Sequence, residues 1–216
     1  MLRAAGMVAI ATLTASLAHA APLSPAELTK LCGEAEGLAH CGRLVEAEQL
    51  KRLPGLAVRD GNTLRITLFP TGNVAFTDVD TLSGGSRFAL WDHFSGINAT
   101  LLFTTKDDDA SFVLLQRSTA KQTPLPSEPA LAPDRQRFAT ADFCEQRCEN
   151  RLVVWRISRD GVTRESEWKP ADNWSDAAVR WSDSATLIVE YTPAGANEPK
   201  TLERKLGEAG WMSLVR

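Results

Sequence analysis

From Leu56 onward the chain is a succession of short runs with the two-residue period of β-strands, and turn residues separate one run from the next. The connections Pro70–Asn73, Lys106–Asp109 and Arg159–Gly161 are as short as hairpin loops. We therefore predict a mainly β fold whose neighbouring strands pair antiparallel in a meander. About twelve strands are predicted, at Leu64–Phe69, Val74–Asp80, Arg87–Phe94, Ala99–Thr105, Ser111–Ser118, Arg137–Phe143, Arg151–Ser158, Val162–Trp168, Ala178–Ser182, Thr186–Thr192, Thr201–Leu206 and Trp211–Val215.

Three of these strands are apolar on both of their alternating faces, at Val113–Leu115, Leu152–Trp155 and Leu187–Val189. A sheet with one wet face would instead alternate apolar and polar residues. Both faces of these strands must therefore be covered. Stacked sheets are predicted, either as a layered β-sandwich or as the packed blades of a propeller.

A helical hairpin is predicted before the strands. Ser24 can act as an N-cap, Pro25 as the first helical residue and Glu27 as the partner that closes a capping box, so a helix is expected over Pro25–Glu36. A second helical pattern covers Arg43–Leu53 and ends at a Pro-Gly pair.

The N-terminus has the pattern of a cleavable secretory signal over residues 1–20. Arg3 is followed by the apolar stretch Met7–Leu17 and by the A-x-A site Ala18–Ala20. No cysteine follows that site for lipidation, and no later segment approaches about 18 consecutive apolar residues. We expect an exported protein, periplasmic or secreted and without a membrane anchor, that consists of a helical hairpin (21–55) and a β domain (56–216).

Export changes the interpretation of the four cysteines, because an oxidising compartment favours disulfides. Cys32 and Cys41 are nine positions apart, and Cys144 and Cys148 are four apart. If each cysteine bonds to the one nearest in sequence, the pairs are Cys32–Cys41 and Cys144–Cys148. The first bond would join the two helices of the hairpin. A zinc site of four cysteines is the alternative, although these spacings are not standard zinc spacings.

The charge balance argues against nucleic acid as the partner. The chain has 24 lysines and arginines against 27 aspartates and glutamates, and loss of Arg3 with the signal leaves a net charge of about −4. Nucleic-acid-binding proteins normally carry a basic face. Hydrophobic residues make up 44% and charged residues 24% of the chain, which indicates an ordinary folded core.

An internal repeat is visible in the β region. The segments that begin at Leu101, Arg137 and Leu187 are each predicted to form a strand, a loop, a second strand, a turn and a third strand, and their starts are 36 and 50 residues apart. The period is irregular, as repeats with loops of different length would be.

Ala130–Asp142 contains a Pro-Asp turn that opens a strand, and Arg151–Ile157 is a following strand with a late tryptophan. Trp181–Leu187 contains a weaker match to the turn and strand start of Ala130–Asp142. This pattern resembles a blade of the WD-repeat and related β-propeller-like repeat proteins of exported bacterial type. The resemblance implies three to four propeller-like units that present loops to a protein partner.

No catalytic or metal constellation stands out in the sequence. The histidines of the mature chain are His40 and His93, and His93 follows Asp92, so an acid and a base could act together there as in a hydrolase. Neither histidine accompanies a G-x-S-x-G elbow, and the common zinc, nucleotide and dinucleotide motifs are absent. The run Asp107–Asp109 could bind Ca²⁺ through its carboxylates, but clustered carboxylates at the tip of a loop are more often simply solvated.

Five of the six tryptophans lie in the C-terminal part of the chain, and most are expected to pack between sheets, as Trp155 should. Trp168 and Trp174 flank a predicted loop and are the candidates for an exposed stacking platform. Together with His93 they form the predicted set of ligand-binding residues.

The sequence thus favours an exported, non-enzymatic binding protein with an unidentified protein partner. Two alternatives stay open. One is carbohydrate or peptidoglycan binding through Trp168 and Trp174, and the other is hydrolysis through His93. No cofactor is predicted, and the sequence does not indicate an oligomeric state.

Overall fold

The computed structural model describes residues 22–81, 84–107, 109–158 and 160–214. The predicted signal, residues 1–20, lies outside them. Over the described residues the chain forms two helices and then sixteen strands in four antiparallel sheets. The prediction of a mainly β fold with antiparallel sheets and two disulfides is confirmed.

The helices are α1 (Pro25–Gly33) and α2 (Leu38–Arg52). The predicted capping box is present, because the Ser24 N–H donates to the Glu27 carboxylate at 2.8 Å and the Glu27 N–H donates back to the Ser24 hydroxyl. Helix α1 ends three residues earlier than predicted and α2 begins five residues earlier. Leu38 and Ala39 begin α2, but the next three residues, His40, Cys41 and Gly42, are weak helix formers, which is why its start was missed.

Both predicted disulfides are formed. Cys32 is bonded to Cys41 and joins the two helices, while Cys144 is bonded to Cys148 in the loop after the tenth strand. The alternative of a four-cysteine zinc site is therefore wrong. The disulfides fit an oxidising compartment. Within the described ranges, no helix is long and apolar enough to cross a membrane.

Sheets 1 to 4 are numbered here in chain order, and within each sheet successive strands are neighbours. Sheet 1 contains β1 (Ala57–Asp60), β2 (Thr63–Thr67) and β3 (Asn73–Thr77). Sheet 2 contains β4 (Val79–Thr81), β5 (Gly84–Phe94), β6 (Ala99–Lys106), β7 (Asp109–Gln116) and β8 (Lys121–Leu125). Sheet 3 contains β9 (Ala130–Leu131), β10 (Arg137–Asp142), β11 (Arg151–Ser158), β12 (Gly161–Trp168) and the last strand, β16 (Ser213–Leu214). Sheet 4 contains β13 (Trp174–Asp183), β14 (Thr186–Pro193) and β15 (Lys200–Lys205).

Every predicted strand overlaps an observed one, and the differences have local causes. The predicted run Val74–Asp80 is divided between β3 and β4. Strands β1, β8 and β9 were not predicted. Strand β8 is mostly polar and contains Pro124, and β9 has only two residues, so neither has a usable period.

Three apolar cores join the sheets in chain order. The first fills the space between sheet 1 and one face of sheet 2, with Ile66 packed among Leu90 and Leu102. The second lies between the other face of sheet 2 and sheet 3, and includes Phe103 and Trp155. The third fills the space between the far face of sheet 3 and sheet 4. Sheets 2 and 3 are therefore apolar on both faces.

The prediction of two covered faces holds for two of the three strands that suggested it. Val113–Leu115 and Leu152–Trp155 each contribute alternate residues to two different cores. The prediction is wrong for Leu187–Val189, where Leu187 and Val189 are buried but Ile188 lies on the outer face of sheet 4. That face is mainly polar, so sheet 4 ends the stack.

Helix α2 covers the open edge of β5. Strand β4 pairs only with the first three residues of β5, so the rest of that edge has no neighbouring strand. Side chains bond to the backbone groups that a neighbouring strand would otherwise pair with. Two carboxylates accept backbone N–H groups: Asp78 accepts that of Phe88 (2.9 Å) and Glu46 accepts that of Leu90 (3.0 Å). Two side chains donate to backbone carbonyls: Gln49 to that of Trp91 (2.6 Å) and Arg59 to that of Phe88 (2.5 Å). Covering an edge in this way protects it from pairing with other chains.

These edge contacts belong to a buried charge network. The guanidinium of Arg59 binds the Glu46 carboxylate through two hydrogen bonds, of 2.8 and 2.7 Å, and Arg43 bridges Glu46 to Asp78. Glu46 is 3% exposed and Asp78 is 7% exposed. The network therefore ties α2, sheet 1 and β5 together with charges that are largely shielded from water.

We predict that Glu46→Gln lowers the free energy of unfolding by about 3 kcal/mol, because it leaves the partly buried Arg43 and Arg59 short of a negative charge. Urea denaturation of both proteins measures the difference. Glu48→Gln, also on α2 but paired only with Lys51 and Arg52 near the surface, should unfold at nearly the parent midpoint. Equal midpoints for Glu46→Gln and the parent would contradict the role given to this network.

Gly42 provides the closest approach of α2 to sheet 2. A Cβ at this position would lie 2.8 Å from the Phe103 ring and 3.2 Å from the Ala89 side chain. We predict that Gly42→Ala destabilises the protein by about 1–3 kcal/mol through overpacking. Gly33→Ala is the matched control, since nothing lies within 4 Å there, and thermal unfolding should show it no less stable than the parent.

Candidate functional site

The functional candidates in the structure lie on either side of a β-bulge in β5. The pairing of β5 with β6 shifts between Leu90 and Asp92. After the shift, Asp92 lies opposite Leu101 and His93 lies opposite Thr100. Trp91 and Asp92 thus share the face toward sheet 3, and His93 turns to the face toward sheet 1. Bulges commonly redirect side chains in this way beside functional sites.

Two carboxylates lie on the side toward sheet 3. The indole N–H of Trp91 donates to Glu128 at 2.8 Å, and the backbone N–H of His93 donates to Asp92 at 2.7 Å. Burial raises the pKa of Asp92, and burial together with the nearby charge of Asp92 raises the pKa of Glu128. Neither carboxylate forms a salt bridge with a described cation.

Glu128 lies on a groove between sheets 3 and 4, which we name the Glu128 groove. It encloses about 410 Å³ and is lined by Ser127–Pro129 of the β8–β9 connection, by Ala130 of β9, by Ala141 of β10 and by Ala177–Val179 of β13. The alanines leave space that larger side chains would fill. The Ser127 hydroxyl accepts a hydrogen bond from the Ala141 N–H at 3.1 Å, which holds the connection against β10.

The groove lies between two strand edges. Strand β13 is at the edge of sheet 4, so one of its sides has no paired strand. Strand β9 pairs only with Phe138 and Ala139, which leaves the following residues of β10 without a strand partner on that side. At the other end, the indole N–H of Trp181 donates to the Ala130 carbonyl at 2.7 Å and connects the two sheets.

The second candidate, named the Arg117 pocket, lies on the side toward sheet 1. It encloses about 290 Å³ and is lined by Leu53–Leu56, His93 and Arg117. Burial lowers the pKa of His93, and the positive charge of Arg117 lowers it further. Asp92 and His93 therefore face different sites, and the Asp92 carboxylate contacts only the backbone of His93. The structure does not bring them together as the acid and base of a hydrolase.

Trp168 and Trp174 are brought together, but in the third core rather than on an open platform. Trp174 is 4% exposed, stacks on Tyr191 at 3.8 Å and meets Trp168 at 5.3 Å. Trp168 is partly buried and also contacts Trp211. His93 is remote from this cluster in the fold, since it belongs to sheet 2. Trp155 packs between sheets as expected, stacked on Phe138.

The other sequence candidates have structural roles or fall partly outside the described residues. His40 is exposed, and its Nδ1 accepts a hydrogen bond from the Glu36 N–H in the turn before α2. Asp108, at the centre of the suggested calcium site, lies outside the described residues. Within those residues, no group of three or more potential ligands could hold a metal ion.

Sequence reasoning missed Glu128 and Arg117. Glu128 lies in a polar connection and Arg117 directly after β7, so neither belongs to a motif. The only signal near them was the Trp91-Asp92-His93 segment. Comparison of the chain with family models, with curated proteins and with solved structures finds no match.

We predict that Asp92→Asn stabilises the protein at pH 7. Because burial raises the folded-state pKa of Asp92, its ionisation opposes folding as the pH rises through that value. The stabilisation should disappear below the ordinary value of 3.8, where the carboxyl is protonated in both states. Urea denaturation at several pH values tests this. Asp176→Asn, on the exposed outer face of sheet 4, should follow the parent profile.

Proposed function

We propose that the protein is an exported binding protein that holds an extended, positively charged protein segment in the Glu128 groove. The observation that carries the proposal is a pair of neighbouring carboxylates to which the described residues supply no cationic partner: Glu128 lines a groove between two strand edges, and the charge of Asp92 lies near Glu128. The proposal thus assigns a positive charge to the protein partner expected from the sequence, and the Glu128 groove as its binding site.

The strand edges favour an extended segment as the occupant. Edge strands carry backbone N–H and C=O groups that an added strand can pair with, and peptide recognition by strand addition uses these groups for affinity. Strand β13 offers such groups along the groove, whereas the Ala141 N–H at the end of β10 already donates to Ser127. The alanine lining lets a second backbone approach closely, and about 410 Å³ is within the range of ligand sites.

The carboxylates favour lysine or arginine in that segment. A cationic side chain at Glu128 would replace an unpaired negative charge with a charge-assisted hydrogen bond. Trp91 holds the Glu128 carboxylate in position through its indole N–H. A partner with a negative charge at the same point would be repelled by both carboxylates.

The architecture that we propose for this function is propeller-like. The four antiparallel meander sheets follow one another in chain order, and the two inner sheets are apolar on both faces, as successive blades would be. The blade resemblance of Ala130–Asp142 and Arg151–Ile157 supports this assignment. The two disulfides and the secretory pattern of residues 1–20 support a periplasmic or secreted location.

The proposal predicts charge-selective peptide binding. A short fluorescent peptide of alternating threonine and valine with a central lysine should bind the purified, disulfide-bonded protein in an anisotropy titration. The same peptide with a central glutamate should not bind. A version with methylated backbone nitrogens should also fail, since strand addition needs its N–H groups.

Variants locate the binding site for the lysine peptide. Glu128→Gln keeps an acceptor for Trp91 but removes the charge, and should weaken binding about tenfold, equivalent to about 1.4 kcal/mol. Glu198→Gln, in an exposed loop beyond β14, should bind like the parent. Equal affinity for the lysine and glutamate peptides, or no effect of Glu128→Gln, would refute the proposal.

A further inference from the structure

We propose that the Arg117 pocket binds a small organic carboxylate, with the guanidinium of Arg117 as the group that recognises the anion. This site is separate from the Glu128 groove: it lies on the face of sheet 2 toward sheet 1, whereas the groove lies between sheets 3 and 4, and it carries the opposite charge. Its features are a fixed cation to which the described residues supply no counter-ion, a neutral imidazole and apolar walls.

Neutral acceptors hold Arg117 in place. Its Nε donates to the Thr67 carbonyl at 2.7 Å, and its Nη1 donates to the Asn98 side-chain oxygen at 3.0 Å. Its backbone N–H also donates to the Asn98 carbonyl at 3.0 Å. A guanidinium has five N–H donors, so these contacts fix its position and leave donors for a ligand.

The positive charge of Arg117 has no counter-charge in the described structure. None of the described carboxylates lies within salt-bridge distance of it, and burial lowers its pKa. A partly desolvated guanidinium with unused donors is suited to bind a carboxylate through two parallel hydrogen bonds. Such a ligand would supply the charge that the fold itself does not provide.

His93 favours a single negative charge on the ligand. Its imidazole lines the pocket, and because its pKa lies below the ordinary 6.5, it is neutral at pH 7. The Nδ1 atom is buried and has no hydrogen-bond partner in the described part of the chain. The pocket therefore offers one full positive charge, which matches a carboxylate better than a phosphate dianion.

The remaining walls favour an apolar body on the ligand. Leu53, Pro54 and Leu56 line the pocket beside the two polar residues, and the enclosed volume of about 290 Å³ suits a short hydrocarbon chain. Such a carboxylate could come from a free acid or from the C-terminus of a peptide ending in an apolar residue. The two sources share the same recognition chemistry.

Calorimetric titration of the whole protein with four probes tests the proposal. Hexanoate should bind saturably, whereas hexanamide, its uncharged counterpart, should not bind, and inorganic phosphate should bind more weakly than hexanoate. N-acetyl-leucine represents a peptide C-terminus: if it binds at least as tightly as hexanoate, the source is a chain end, and if it binds more weakly, a free acid. The ring resonances of His93 should shift on saturation with the ligand that binds.

Substitution identifies the cation. Arg117→Gln should weaken hexanoate binding at least tenfold, while Arg180→Gln, an exposed arginine on sheet 4, should leave it unchanged. Equal binding of hexanoate and hexanamide by the parent would overturn the proposal even if Arg117→Gln fails to fold. Tighter binding of phosphate, or unaltered binding by a folded Arg117→Gln, would also overturn it. None of these results depends on peptide binding at the Glu128 groove.

Discussion

The buried carboxylate of Glu46 is the interaction on which the arrangement of both sites depends. It binds Arg59 of sheet 1 through two hydrogen bonds and accepts the N–H of Leu90, the residue just before the bulge of β5. One turn further along α2, Gln49 donates to the carbonyl of Trp91 in the bulge itself. A helix thus supplies the hydrogen bonds that a neighbouring strand would otherwise make. Because these bonds fix the bulge, they also fix which face each of the next residues occupies.

The bulge determines which face of sheet 2 Asp92 and His93 each occupy. Without it, strand alternation would place Trp91 and Asp92 on opposite faces, and the indole could not position Glu128 beside Asp92. With it, Asp92 lies near Glu128, which lines the groove between sheets 3 and 4, and His93 lines a pocket with Arg117 next to sheet 1. Sheet 2 therefore lies between two sites of opposite charge. A ligand for one site would be repelled by the other, which favours two distinct ligands.

The sequence predicts what depends on local chemistry. Turn residues and the two-residue period locate most strands, the Ser24–Glu27 box marks the start of α1, and close spacing in an exported chain pairs the cysteines. It cannot predict contacts that join distant segments. The Trp91–Glu128 bond spans 37 positions and the Arg117–Thr67 bond spans 50. Trp174 was misplaced for the same reason, since only the packing of sheet 4 on sheet 3 buries it.

The distribution of counter-charges separates structural from functional groups. Where a charge holds elements together, as Arg137 does with Glu165 or Arg59 with Glu46, the partner is supplied by the fold at 2.7–2.8 Å. Asp92, Glu128 and Arg117 are partly desolvated and receive only neutral partners. Removing a charge from water without pairing it opposes folding. Because the fold pairs Glu46 so thoroughly, yet gives these three groups no counter-ion among the described residues, we infer that their charges are placed for ligands to complete.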